Sequence, residues 1–128
     1  MQKLKKILPG IIVIICFVII CNITLKQANS SVIDRVDPIE IIVGEKFYET
    51  EGVSTLGVYG SKFQLGDIIY LNNQPQDTTF GNEGWLTCFV PDELYEKQGR
   101  VQVQVKRIDD KGKIIDKSNI KVIRILSK

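Results

Sequence analysis

Hydrophobic residues are distributed in two different ways along this chain. Near the N-terminus they form one block, because no charged residue interrupts the nineteen positions of residues 7–25. A helix of that length covers about 28 Å, close to the hydrocarbon core of a bilayer at about 30 Å. We therefore predict one N-terminal hydrophobic helix within residues 1–25, long enough for residues 7–25 to span a membrane.

Beyond residue 36 the apolar positions come in short runs, and Gly, Asn, Asp or Pro separates one run from the next. Val101, Val103 and Val105 alternate with polar neighbours, which is the pattern of a half-buried strand. Such runs at intervals of about 8 to 12 residues are typical of β-sandwiches and barrels. The runs predict strands within residues 39–43, 54–59, 68–71, 78–80, 85–90, 101–105 and 120–126, with one helical turn within residues 92–99.

These elements predict an all-β domain over residues 36–128, in which about seven strands form a two-sheet sandwich. A polar linker, residues 26–35, joins this domain to the N-terminal segment. In the last predicted strand both alternating sets of positions are apolar, so the pattern alone does not decide which set faces the core.

The N-terminal segment is compatible with an uncleaved anchor and with a signal peptide. Signal peptides have apolar regions of about 7 to 15 residues, whereas anchors need about 20, so the length favours an anchor. Ala28 and Ser30 are small enough to permit cleavage after Ser30. Three lysines precede the apolar stretch and only Lys26 follows it, which favours a cytoplasmic N-terminus. We expect a single-pass protein of the cell membrane with an extracellular C-terminal domain, or a secreted domain if cleavage occurs.

The formal net charge of +2 divides unevenly between the two parts of the chain. Residues 31–128 hold 13 Lys and Arg against 15 Asp and Glu, a net charge of −2. Nucleic-acid-binding domains are strongly basic, so we expect no nucleic-acid partner. Residues 97–128 alone carry a net +7, from ten Lys and Arg against three acids. Solvated strand faces explain this excess most simply, and a basic surface for anionic polymers or lipid headgroups is the alternative.

The residues that could support catalysis or metal binding do not form a recognisable site. The chain has no histidine, and Cys88 alternates with Leu86 and Val90, as a small core residue does. Asp109 and Asp110 are adjacent, so in an extended chain their side chains point to opposite sides. We therefore expect no enzymatic activity, no cofactor and no metal site.

The aromatic residues are the best candidates for contact with a partner. By strand alternation Trp85 and Phe89 face away from the side that Cys88 occupies. Together with Tyr59 and Tyr70 they are candidate partner-contact residues, because exposed aromatic rings suit contact with sugars or proteins. These rings can equally form a second packing surface under the neighbouring turns, and the sequence leaves both interpretations open.

Several segments of the β region, taken together and in order, resemble one known family. They are residues 56–63, 66–73, 86–91, 99–105 and 118–119. Residues 56–125 resemble the IPT/TIG family of immunoglobulin-like domains, which is common in bacterial surface proteins. The resemblance implies an immunoglobulin-like sandwich that contacts a protein or a carbohydrate.

The function that we expect from these features is non-catalytic. A membrane-anchored or secreted cell-surface module would bind a protein or carbohydrate partner. The alternative is a structural spacer or assembly subunit that pairs with other surface proteins through its sheet edges.

Overall fold

Residues 30–128 are the part of the chain that the computed structural model describes, and they fold as β-strands with one short 3₁₀ helix, Asp92–Leu94. The predicted all-β class is therefore confirmed for this part of the chain. The strands are β1 Val32–Asp37, β2 Glu40–Ile42, β3 Tyr48–Thr50, β4 Val53–Ser61, β5 Ile68–Leu71, β6 Gln74–Pro75, β7 Thr78–Asn82, β8 Trp85–Phe89, β9 Gly99–Ile108, β10 Ile114–Lys117 and β11 Lys121–Leu126.

The predicted hydrophobic helix lies outside the described residues. Within residues 30–128, no helix has the length and apolar character needed to cross a bilayer. Residues 32–35, which the sequence pattern assigns to a linker, form the first part of β1.

The strands form two sheets that pack face to face as a β-sandwich. In the first, sheet A, the order is β1-β4-β8-β7, and β3 pairs with the start of β4. In the second, sheet B, the order is β2-β11-β9-β5-β6, and β10 pairs with the end of β9. The chain passes from sheet A to sheet B at the cis peptide bond Asp37–Pro38, and β2 then runs parallel to β11.

The core lies between the sheets and consists of the inward positions of each strand. Leu56 and Val58 of β4 supply it from sheet A, and Val103 and Val105 of β9 supply it from sheet B. All four are at most 1% exposed. Removal of these apolar side chains from water is the main force that holds the two sheets together. Cys88 is 3% exposed and belongs to the same core, as predicted.

The number of strands is larger than predicted. About seven were expected, whereas residues 30–128 contain eleven. The predicted first strand corresponds to β2, and the pattern gives no sign of β1, because a register shift between Ile33 and Arg35 interrupts the alternation. The buried residues of β1, Ile33 and Val36, are consequently three positions apart. β3, β6 and β10 have two to four residues each, and their sequences, YET, QP and IIDK, contain no alternating apolar run.

A buried ion pair fixes one end of sheet B. The side chain of Asp67 is 0% exposed and accepts hydrogen bonds from Arg107 Nε at 2.8 Å and Nη2 at 3.1 Å. It also accepts the backbone N–H of Gln64 at 2.9 Å. Asp116 lies 3.6 Å from Arg107 Nη1. The hydrogen bond to Asp67 is the main cause that raises the pKa of Arg107. This network connects the turn before β5 to β9 and β10.

Candidate functional site

The outer side of sheet A carries an exposed aromatic surface. Its members are Tyr48 of β3, Tyr59 of β4, and Trp85 and Phe89 of β8, and we call them the aromatic face. Tyr48 is 55% exposed, Phe89 45% and Trp85 39%, while Tyr59 is half-buried. The register places Tyr59 opposite Trp85 and Tyr48 opposite Thr55, which itself pairs with Phe89. Tyr59 and Trp85 therefore form a cross-strand pair, while Tyr48 and Phe89 flank Thr55 two outward positions further along the same side of the sheet.

Two glycines allow the central rings to lie close to the sheet. A Cβ atom at Gly81 would fall 2.0 Å from Cε3 of Trp85, and one at Gly57 would fall 3.0 Å from Cε2 of Tyr59. Any larger residue at position 81 would force the indole to move. The Tyr59 and Trp85 rings are nearly parallel, with an interplanar angle of 21° and centroids 6.5 Å apart. Because neither glycine has a Cβ atom, the two rings can lie against the sheet and form one continuous surface.

The polar groups on this face bond mainly to one another. The Tyr48 hydroxyl donates to Asp37 Oδ1 at 2.8 Å, and this bond is the main cause that raises the pKa of Tyr48. Arg35 lies 3.8 Å from Asp37 Oδ2, and its guanidinium carbon lies 3.8 Å from the centroid of the Tyr59 ring. The Thr55 hydroxyl donates to the backbone oxygen of Tyr48 at 2.8 Å. What the face offers to a partner is therefore chiefly ring surface.

Tyr70 lies on the outer side of the other sheet. Its neighbours Ile69 and Leu71 point into the core, and Tyr70 is half-buried on the opposite side of β5. The Lys106 ammonium lies 4.4 Å from the centroid of its ring. A concavity of about 300 Å³ opens here, and its lining consists of Tyr70, Asn73, Gln102, Gln104 and Ile120. We call this concavity the amide pocket.

The structure therefore separates the four predicted contact residues into two groups. Tyr59, Trp85 and Phe89 lie together on sheet A, and Trp85 and Phe89 are exposed as the alternation predicts. Tyr70 lies alone on sheet B. Sequence reasoning omitted Tyr48, because no strand was predicted at residues 48–50.

Cys88 has neither the exposure nor the protonation state of a nucleophile. Burial raises the pKa of its thiol to about 12, so the thiolate is scarce at neutral pH. In the part of the chain that the structure describes, no group of three or more His, Cys, Asp or Glu side chains is placed to hold a metal ion.

Comparison with known proteins gives a likeness in structure only. Neither a protein-family model nor a curated protein matches the chain. Crystal structures of auxiliary nutrient binding proteins from Bacteroides ovatus ATCC 8483 and Bacteroides thetaiotaomicron VPI-5482 do match, with TM-scores of 0.53 and 0.54. Each is 16% identical, and the alignments cover 77% of this chain. The chain spans about a fifth of either protein, since 21% of each is covered. At this identity the likeness shows a shared β-sandwich fold.

Proposed function

We propose that this chain is a non-catalytic, membrane-anchored or secreted surface protein that binds another protein through the aromatic face. The observation that carries the proposal is the nearly parallel pair of Tyr59 and Trp85, with the exposed rings of Phe89 and Tyr48 further along the same side of the sheet. Exposed apolar surface of this kind is a common mark of interaction sites.

The composition of the face favours a protein over a sugar. Trp, Tyr and Arg are the residues that most often dominate the energy of protein interfaces, and Trp85, Tyr59 and Arg35 supply all three. A saccharide needs hydrogen-bonding groups that are free to serve it. Here Tyr48, Asp37 and Thr55 each have a bond or ion pair within the same face, and the largest exposed side chains are the rings of Tyr48, Phe89 and Trp85. This arrangement therefore suits a protein partner, which can bury the rings under a complementary surface, better than it suits a sugar.

We also propose an immunoglobulin-like sandwich, which the strand order supports, and the IPT/TIG family, which only the resemblance of residues 56–125 supports. Sheet A in the order β1-β4-β8-β7 corresponds to strands A, B, E and D of an immunoglobulin domain. Sheet B places β11, β9 and β5 side by side, as strands G, F and C are placed. The passage of the first strand segment from one sheet to the other agrees with the same assignment.

Two further observations support a binding role at the cell surface. The similar structures are those of nutrient-binding proteins about five times as long as the matched region, so a domain of this fold occurs there as part of a larger binding protein. The apolar stretch of residues 7–25 after three lysines supports export. Burial of the Cys88 thiol supports the non-catalytic assignment.

Site-specific crosslinking tests the proposal. A photoreactive phenylalanine analogue placed at Phe89 in the full chain, in its own cells, should form one reproducible adduct with a second protein. The matched control carries the analogue at Ile39, which is 63% exposed and lies between β1 and β2. The purified partner should bind Trp85→Ala about 25-fold or more weakly than the unaltered chain, the loss expected for a hot-spot residue.

A second control, Leu65→Ala, removes an exposed apolar side chain from the turn between β4 and β5 and should leave the affinity unchanged. Equal binding of the partner to the Trp85→Ala chain, in a correctly folded state, would overturn the proposal. Adducts that form only from positions on β7, the edge strand of sheet A, would instead favour the spacer alternative.

A further inference from the structure

We infer that the amide pocket on sheet B is a second binding site, which takes one or two rings of a neutral saccharide. The site shares no residue with the aromatic face and lies on the opposite sheet. The two sites can therefore be tested separately.

The pocket is built from three separate parts of the chain. Tyr70 of β5 pairs with Gln104 of β9, and Gln102 is the next outward position along β9. Asn73 comes from the turn between β5 and β6, where it adopts a positive φ of 66°. Ile120 lies just before β11 and supplies an apolar wall. An aromatic ring, three amides and one aliphatic side chain thus meet around one depression.

The chemistry of their partners fixes how two of the amides are oriented. The Lys106 ammonium can only donate, and it lies 2.6 Å from Asn73 Oδ1. The amide nitrogen Nδ2, with its two N–H groups, is therefore what Asn73 can offer to a ligand. The Ser118 carbonyl can only accept, and Gln104 Nε2 donates to it at 2.8 Å. Gln104 consequently retains Oε1 as an acceptor.

A pre-oriented donor and a pre-oriented acceptor in one pocket suit the hydroxyl groups of a sugar. Hydroxyl groups both donate and accept, so a sugar ring that carries several of them can accept from Asn73 and donate to Gln104. The two amides are already held by Lys106 and Ser118, so binding costs little of their side-chain entropy. Amides that were free to rotate would lose that entropy on binding.

Tyr70 supplies the apolar contact that a saccharide also needs. A sugar ring has an apolar side of C–H groups, and aromatic side chains in ligand pockets provide the matching surface. The Tyr70 ring is half-buried and held by Lys106, which is itself only 7% exposed. These contacts favour the same position of the ring before a ligand arrives.

The charge and the volume of the amide pocket limit the class of ligand that it can bind. None of the five lining side chains is charged, and the nearest cation, Lys106, is buried and bonded to Asn73. A neutral sugar therefore fits better than an acidic one. A volume of about 300 Å³ lies at the small end of ligand pockets, which suits one or two rings of a longer chain.

A second concavity, of about 330 Å³ between β5 and β7, is a weaker candidate for a neutral sugar because two acidic residues, Asp67 and Asp77, line it. The Thr78 hydroxyl accepts the Ile69 N–H and donates to the Gln76 carbonyl, each at 2.9 Å. The Asp67 carboxylate is bonded to Arg107. These groups have less to offer a ligand than the amide pocket has.

Isothermal titration of the full chain, in a detergent without a sugar headgroup, tests the inference. The probes are hexasaccharides of glucose, mannose and xylose in different linkages, with oligogalacturonate as the acidic comparison. We expect at least one neutral probe to bind. Gln104→Leu should weaken it about 2- to 13-fold, the range of one hydrogen bond, and Tyr70→Ala about tenfold or more.

The single tryptophan of the chain distinguishes the two faces. Because Trp85 lies on sheet A, a sugar in the amide pocket should leave its fluorescence unchanged, and Trp85→Ala should retain full affinity. If Tyr70→Ala or Gln104→Leu fails to fold, Gln102→Ala replaces that variant, because Gln102 is exposed. Loss of its hydrogen bond should weaken the binding of the sugar about 2- to 13-fold.

Three results would overturn the inference. The first is that no neutral probe binds at about 10 mM, a concentration that would detect even weak affinity. The second is binding of the acidic probe alone. The third is binding that quenches Trp85 and is lost in Trp85→Ala, which would assign the sugar to the aromatic face and would also contradict the protein partner proposed there.

Discussion

The buried pair of Asp67 and Arg107 allows a quantitative prediction about stability. Arg107→Met keeps the aliphatic part of the side chain but removes two of the three hydrogen bonds to a carboxylate that is 0% exposed. The hydrogen bond from the Gln64 N–H is the one of these three that remains. Breaking one side of a buried ion pair costs about 3–5 kcal/mol. We therefore expect Arg107→Met to lower the free energy of unfolding by about 3–5 kcal/mol, a large part of the 5–15 kcal/mol that is typical of a domain.

Urea unfolding followed by Trp85 fluorescence measures this loss, and an unchanged m-value would show that both variants unfold in the same way. The matched control is Arg100→Met, the same substitution at an exposed position of the same strand, which should change stability by less than about 0.5 kcal/mol. In an Asp67→Asn background the carboxylate charge is absent. Arg107→Met should then cost clearly less than it costs alone, which a double-mutant cycle records as coupling.

Similar losses for Arg107→Met and Arg100→Met would refute this reasoning. Such a result would mean that the Asp67 charge does not depend on the guanidinium, whatever the distances between them. Equal costs of Arg107→Met with and without Asp67→Asn would lead to the same conclusion.

Three further predictions follow from the burial of single groups and from the N-terminal segment. Cys88 should not react with a thiol reagent at pH 8 until the chain is denatured, because burial raises its pKa to about 12; rapid native labelling would contradict this. Burial, and then the bond to Asp92, raise the pKa of Tyr95 to about 12, whereas an unfolded tyrosine ionises near 10. Stability should therefore fall as the pH rises from about 10 to about 12, and less so in Tyr95→Phe. Mass spectrometry of the mature chain should find Met1 or Gln2 at its N-terminus if the anchor is retained, whereas Ser31 would show cleavage.

Alternation along the sequence was sufficient to predict which side of a long, regular strand faces the core. It places Leu86, Cys88 and Val90 inward and Trp85 and Phe89 outward, as the structure does. It fails where the backbone itself is irregular. In β1 the register shift after Ile33 breaks the period of two, so a strand that contributes two buried residues has no alternating pattern.

Tertiary contacts decide what the local pattern leaves open. In β11 Ile123 and Ile125 face the core, although Val122 and Leu126 on the other side are equally apolar. The structure makes this choice through the pairing of β11 with β9, in which Ile123 lies opposite the buried Val101. No feature of residues 120–126 alone contains that information.

The binding surfaces were predictable only in part, for the same reason. The exposure of Trp85 follows from alternation, but its position beside Tyr59 depends on the pairing of β4 with β8. In the sequence alone, Gln102 and Gln104 are simply polar positions of an alternating strand. Asn73 is about 30 positions away in sequence, and only the pairing of β5 with β9 brings it to them.

The two outer faces of the sandwich differ most in how their polar groups are used. On sheet A the largest exposed side chains are the rings of Tyr48, Phe89 and Trp85, so a partner can gain chiefly by covering them. On sheet B, Lys106 and Ser118 each occupy one end of an amide and leave the other end for a ligand. When a ligand rich in hydroxyl groups binds, it replaces its hydrogen bonds to water by hydrogen bonds to the protein. The exchange is favourable where the donors and acceptors of the protein are already held in place, because they then lose little side-chain entropy. This difference is the physical basis for the two proposals, a protein partner for the aromatic face and a neutral sugar for the amide pocket.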